Sequence, residues 1–94
     1  MKHYELFKLT PGADTVAVQL RVAKTFDKLD AELDWLNHPV VYRNCGNNAD
    51  ADIMAVVEID SEEQLPLCLE NKHYVKLAEH LRDVLVSRMT FDHY

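Results

Sequence analysis

Two side chains near the start of the chain, His3 and Glu5, have the types and spacing for acid–base chemistry. Placed two apart, they share one face of an extended strand with Phe7 and Leu9. That face is expected to look inward, where desolvation raises the pKa of a carboxylate unless a partner such as His3 holds its charge. Such a pair can serve as a general base or orient a ligand; at a frayed strand end it is merely wet. Tyr74 is a third candidate. From an apolar helical stripe it can donate to a phenolic or carbonyl ligand, or simply pack with its hydroxyl at the rim. His93 comes beside His3 if the first and last strands are neighbours, and two imidazoles with a carboxylate can hold a divalent metal. Strand register decides that question and cannot be read from the residues alone, so no metal site is assigned.

Other reactive types carry less. His73 and His80 lie seven apart, about 10 Å along one helix face, too far to share an ion, and read as surface histidines. Cys45 and Cys68 are isolated and read as free thiols of a cytosolic protein. Cys45 has no nearby His or basic cluster to lower its pKa, and Cys68, among Leu65, Leu67 and Leu69, reads as buried filler. The sequence holds no phosphate loop, nucleophile elbow, zinc finger or HExxH pair, and no cofactor is expected.

The elements that must position these groups are organised around Ile53–Ile59, six apolar residues in seven, rich in β-branched side chains and too short for a globular helix. Ile53, Ala55, Val57 and Ile59 fall on one face, Met54 and Val56 on the other. A strand apolar on both faces needs two covers, and 94 residues supply one set of helices but little else. A second copy of the chain is the expected second cover.

Around that strand the chain reads in order. His3 to Leu9 is a first strand, and Thr10-Pro11-Gly12-Ala13-Asp14 a turn whose Asp14 or Thr15 caps the first helix. Val18, Val22, Phe26, Leu29, Leu33 and Leu36 recur at helical spacing, and Asn37-His38-Pro39 is expected to stop that helix, with Trp35 at its end. Val40–Cys45 is a second strand, joined to the central one through the turn-forming Gly46-Asn47-Asn48-Ala49-Asp50. Ser61 and Gln64 have capping-box spacing, Pro66 demands a kink or restart, and Asn71-Lys72 marks a further break. Tyr74, Leu77, Ala78, Leu81 and Leu85 form the stripe of the last helix. Ser87–His93 alternates as a fourth strand, with Met89, Phe91 and His93 against Arg88, Thr90 and Asp92. Strand, helix, strand, strand, helix, strand is the ferredoxin-like βαββαβ order of an α+β domain: a four-stranded antiparallel sheet with helices on one face. Tyr4, Leu6, Met54 and Val56 are left on the open face, and two such sheets packed together make a dimeric α+β barrel.

Composition limits the alternatives. One domain, 1–94, is expected, and 48% hydrophobic residues argue against disorder. Ten Lys and Arg against sixteen Asp and Glu, with no basic cluster along the sequence, argue against nucleic acid as a partner. No apolar run approaches the roughly 20 residues of a membrane span. The first residues lack the apolar core of a signal peptide, so the chain reads as complete and cytoplasmic.

Met1 through Leu9, then Pro11-Gly12, then Ile53–Ile59 with its acidic cap and a final Arg88-Met89-Thr90-Phe91-Asp92 resemble the stress-responsive A/B barrel (Dabb) family over nearly the whole chain. That resemblance implies a homodimeric α+β barrel of a kind that often has no assigned activity. Some plant members of the family are associated with stress tolerance, and one is a polyketide cyclase with two histidines and supporting tyrosines between sheet and helices. Carried over by residue, one cyclase histidine falls on His3. The other closes a His-Pro-x-His motif where this chain has Asn71-Lys72-His73-Tyr74, so Asn71 and Tyr74 stand at the motif histidines and His73 is about 100° away around the helix. A pocket tyrosine falls on Cys68 and a further histidine on Ile53.

The expected function is therefore a homodimer that binds a small, partly apolar molecule between sheet and helices, in a pocket built from His3, Glu5, Phe7, Ile53, Ala55, Cys68, Tyr74 and Leu77. The alternative is an enzyme without cofactor, a polyketide or aldol cyclase or a monooxygenase, with His3 as base, Tyr74 as donor to an enolate oxygen and Glu5 orienting. A purely structural stress protein would have high thermal stability and no pocket.

Overall fold

The structure, a computed structural model, describes residues 1–46 and 50–94; the expected turn residues Asn47, Asn48 and Ala49 lie outside the described residues. The elements are β1 (Lys2–Leu9), α1 (Thr15–Glu32), β2 (Leu36–Arg43) and β3 (Ile53–Ile59), then a 3-10 turn (Glu62–Gln64), α2 (Leu65–Glu70), α3 (Lys72–Leu81) and β4 (Leu85–His93). The sheet runs β2-β3-β1-β4, antiparallel at each pairing. This is the ferredoxin-like arrangement the element order predicts.

Local chemistry explains most boundaries. After β1, the Ala13 amide donates to the Thr10 carbonyl at 3.1 Å across Pro11 and Gly12, and Gly12 has φ +84°, the left-handed position of a type II turn. Asp14 caps α1 by accepting from the Ala17 amide at 3.1 Å. The Ser61 amide donates to Gln64 Oε1 at 3.1 Å, Pro66 sits in the first turn of α2, and Asn71 ends α2 while capping α3 through the His73 amide at 2.9 Å.

The first helix ends sooner than the leucine spacing predicts. Leu33 is already extended, and Leu36 is the first residue of β2 rather than the last of a helix. The turn between them closes with the Leu36 amide on the Leu33 carbonyl at 3.2 Å, a three-residue return that keeps both leucines pointing inward as a helix would. Trp35 accordingly lies in this turn and not on the helix. Asn37-His38-Pro39, expected as a stop, is instead strand. The β2–β3 register shifts there, His38 takes φ +54°, and Pro39 is tolerated because β2 is an edge.

One face of the sheet carries the helices and the core: Phe7, Leu9, Ile53, Ala55, Val57 and Ile59 from the strands meet Val22, Phe26 and Leu29 of α1 and Tyr74, Leu77 and Leu81 of α3. The other face has no helix on it. Register aligns two apolar rows across it, Val40–Val56–Tyr4–Phe91 and Tyr42–Met54–Leu6–Met89. The inner members are half-buried, and the outer ones, such as Phe91 at 62% and Met89 at 53%, are exposed. No helix among the described residues is long and apolar enough to cross a membrane.

Candidate functional site

Alternation in β1 turns His3 and Glu5 toward the helices, where each is essentially inaccessible to solvent. An isolated buried carboxylate would be expelled or protonated. Glu5 is neither, because three groups converge on it. His3 Nε2 lies 2.8 Å from Oε2, the Tyr74 hydroxyl donates to Oε1 at 2.5 Å, and Arg88 Nε donates to the same oxygen at 2.9 Å. Burial pushes the Glu5 pKa up, but the bond from His3, the Arg88 charge and the Tyr74 bond outweigh it and hold the carboxyl below its ordinary range.

The second imidazole nitrogen is also committed: His3 Nδ1 lies 2.5 Å from Asp92 Oδ1. A carboxylate only accepts, so an imidazole held between two of them donates from both nitrogens and is an imidazolium. Burial opposes that charge, yet the bonds to Glu5 and Asp92 and the attraction of both carboxylates raise the His3 pKa above its ordinary value. The result is a row of alternating charge, Asp92–His3–Glu5–Arg88, with Tyr74 at the Glu5 end.

Each member is placed by a simple structural rule. β4 pairs with β1 so that His3 faces Asp92 and Phe7 faces Arg88; Arg88 reaches diagonally back to Glu5. Tyr74 comes from the first turns of α3, with its ring edge-on to Phe26 and beneath the Arg88 guanidinium at 5.5 Å. Burial, the charge of Glu5 and the bond to it raise the Tyr74 pKa, so its proton stays on as a hydrogen-bond donor.

The site opens into a cavity of about 190 Å³ between α3, β1 and β4, lined by Phe7, Tyr74, Leu77, Ala78, Leu81, Leu85 and Arg88. Of the expected pocket residues, Phe7, Tyr74 and Leu77 line it. His3, Glu5, Ile53, Ala55 and Cys68 are packed into the interior instead, and burial first, then the Glu5 charge, pushes the Cys68 thiol up to about 12. The cavity is mostly hydrocarbon, with Arg88 and Tyr74 at its polar end.

The expected meeting of His3 and His93 does not occur. Register sets His93 opposite Lys2 and Asp92 opposite His3, so the two histidines point to opposite faces of the sheet. His93 stacks on Tyr4 on the open face, its Nε2 3.1 Å from the Tyr4 hydroxyl. Among the described residues no group of three His, Cys, Asp or Glu is arranged to hold a metal ion. Arg88 and Asp92 join the site without having stood out in the sequence. Their signal was present in the alternation of the last strand, which puts them on one face with Thr90, and only the pairing with β1 shows that this face meets His3 and Glu5.

No known family model matches the sequence, and no curated protein matches it. Solved structures do. A dimeric protein of unknown function and ferredoxin-like fold from Bacteroides fragilis aligns over 98% of this chain and 92% of its own, with TM-score 0.84 and 20% identity. A Dabb family protein with a ferredoxin-like fold from Mesorhizobium loti aligns over 99% and 93%, with TM-score 0.73 and 12% identity. SnoaB, a cofactor-independent oxygenase from Streptomyces nogalater, aligns over 98% and 90%, with TM-score 0.71 and 13% identity. At such identities the likeness establishes the fold, which this chain shares with a Dabb protein and with an oxygenase alike.

Proposed function

We propose that this chain is a Dabb-type homodimer that binds a small aromatic acid or similar ring-sized molecule in the cavity between α3, β1 and β4. The observation that carries this reading is the polar end of an otherwise apolar cavity. Arg88 is tied to Glu5 through Nε and lines the cavity, where its guanidinium can meet a ligand anion, and the Glu5 network fixes both Arg88 and Tyr74 before anything binds. The size agrees, since an apolar cavity of about 150 Å³ accommodates benzene. Dimerisation is supported by the two apolar rows on the open sheet face, which a second copy would cover, and by the dimeric description of the Bacteroides fragilis protein.

Thermal-shift screening against small aromatic acids and quinones tests the ligand. A binder raises the melting temperature by mass action. Ala78→Phe, at an exposed residue on the cavity wall, should abolish that rise without unfolding the protein. A panel without a single stabilising compound, or a binder indifferent to Ala78→Phe, would refute the site.

A second reading, a cofactor-independent cyclase or monooxygenase, is favoured by one specific feature: the proton-bearing path from His3 through Glu5 to the Tyr74 hydroxyl ends at the cavity wall. In that case Tyr74, whose single hydroxyl proton rests on Glu5, turns that proton to an enolate oxygen as it develops, and Glu5, which orients the hydroxyl beforehand, hands the Tyr74 oxygen a replacement. His3, the expected base, here enters the cycle carrying its proton and exchanges it through Glu5. Unchanged turnover of an identified substrate by His3→Ala would end this version.

A further inference from the structure

A second cleft, of about 500 Å³, lies on the outer side of the helices, between α1 and α3. Its chemistry is opposite to that of the molecule as a whole. Arg21, Lys24 and Lys28 line it from α1, and His73, Lys76 and His80 from α3. Each helix contributes its basic residues at positions i, i+3 and i+7, the spacing that puts three side chains on one face over about 10 Å. The two faces meet across the cleft, so charges dispersed through the sequence become a basic cluster that reading along the chain does not reveal.

Four of the ten Lys and Arg line this cleft, leaving six for the rest of a chain with sixteen carboxylates, none of which is among the lining residues. Among the described residues, Arg21, Lys24, Lys28 and Lys76 form no ion pair, and at one end Glu32 holds His73 Nε2 at 2.9 Å. Like charges gathered in a concave site repel one another, and an anion relieves that repulsion. Two leucines add apolar surface, Leu20 at 60% exposure and the buried Leu77, which also forms part of the wall of the inner cavity.

We infer that this cleft binds a small molecule carrying a phosphate or pyrophosphate group on a compact apolar body. Lysines act as point charges well suited to phosphate oxygens, the volume falls within the range of small-molecule sites, and Leu20 and Leu77 offer a surface for the uncharged part. A nucleic-acid track fits less well, because the basic residues extend only about 10 Å along each helix and Glu32 closes one end. The inference is independent of the ligand proposed for the inner cavity.

The test is titration of the isotopically labelled full-length chain with sodium pyrophosphate, followed by amide chemical shifts at low and at raised sodium chloride. Saturable shifts confined to residues 20–28 and 73–80, weakening as salt rises, are expected. The double variant Lys24→Ala, Lys76→Ala alters only exposed side chains and should leave the melting temperature unchanged, while pyrophosphate binds roughly tenfold more weakly or worse. Absence of saturation, shifts centred on the sheet or on Arg88, or equal affinity in the double variant would overturn the inference. So would tighter binding of a single-stranded oligonucleotide at the same residues, which would assign the cleft to nucleic acid.

Discussion

Glu5 has no solvent exposure and three partners, so its removal tests whether the network is a single unit. Glu5→Gln strips the buried His3 and Arg88 charges of their common counter-charge. Breaking such a pair from one side costs about 3–5 kcal/mol, a large part of the roughly 5–15 kcal/mol that holds a small domain folded. Urea unfolding should show that loss; a change under about 1 kcal/mol would mean that water already solvates these groups. The same residues set a pH profile. The raised pKa of His3 contributes stability in full below 6.5, and this is lost as pH climbs through the raised value. The lowered pKa of Glu5 contributes above 4.5, and this is lost as pH falls through the lowered value. Stability measured across pH should therefore be greatest between those limits and fall on both sides; a continued rise through neutral pH would contradict the assignment. Of this network, His3, Glu5 and Tyr74 were legible as candidates from residue type and alternation. Arg88 and Asp92 were not, because a one-residue difference in the β1–β4 register exchanges Asp92 for His93 and nothing local records it.

At the scale of elements, α3 carries Tyr74 and half of the outer cleft, and it starts cleanly only because Asn71 accepts from the His73 amide. Asn71→Ala should cost about 1 kcal/mol, lower the melting temperature by about 4–8 °C and weaken any ligand of the inner cavity, since the first turn of α3 positions the hydroxyl on Glu5. Calorimetry with and without ligand checks both parts; a fall in stability with affinity unchanged would separate Tyr74 from the site. The caps at Asp14 and Ser61, the restart at Pro66 and the break at Asn71 were readable because each is a local preference of a few residues. The end of α1 was not, since the three-residue turn from Leu33 to Leu36 imitates helical spacing and only the Leu33 backbone differs.

For the whole molecule, the two-sided hydrophobicity of β3 foretold a sheet with helices on one face and apolar side chains on the other. That much comes from strand geometry, and the register then gathers Val56, Tyr4, Met54 and Leu6 at the centre of the open face. If a second copy covers this face, Val56→Asp buries a charge in each of two facing sheets. Light scattering should then report two chains for the native protein and one for the variant, with the variant's helical circular dichroism retained. A native monomer at micromolar concentration, or a variant that still pairs, would remove the barrel. The basic outer cleft had no sequence signature, because its two halves stand on helices separated by two strands and meet only in the folded chain.

The most direct measurement of the central claim, a buried ionised network poised at the wall of a ligand cavity, is nitrogen-15 NMR of the His3 ring. Both ring nitrogens of His3 should carry bonded protons at neutral pH, with slow solvent exchange and a titration displaced above that of an ordinary histidine. A neutral ring with one bare nitrogen at that pH, exchanging freely with water, would contradict it.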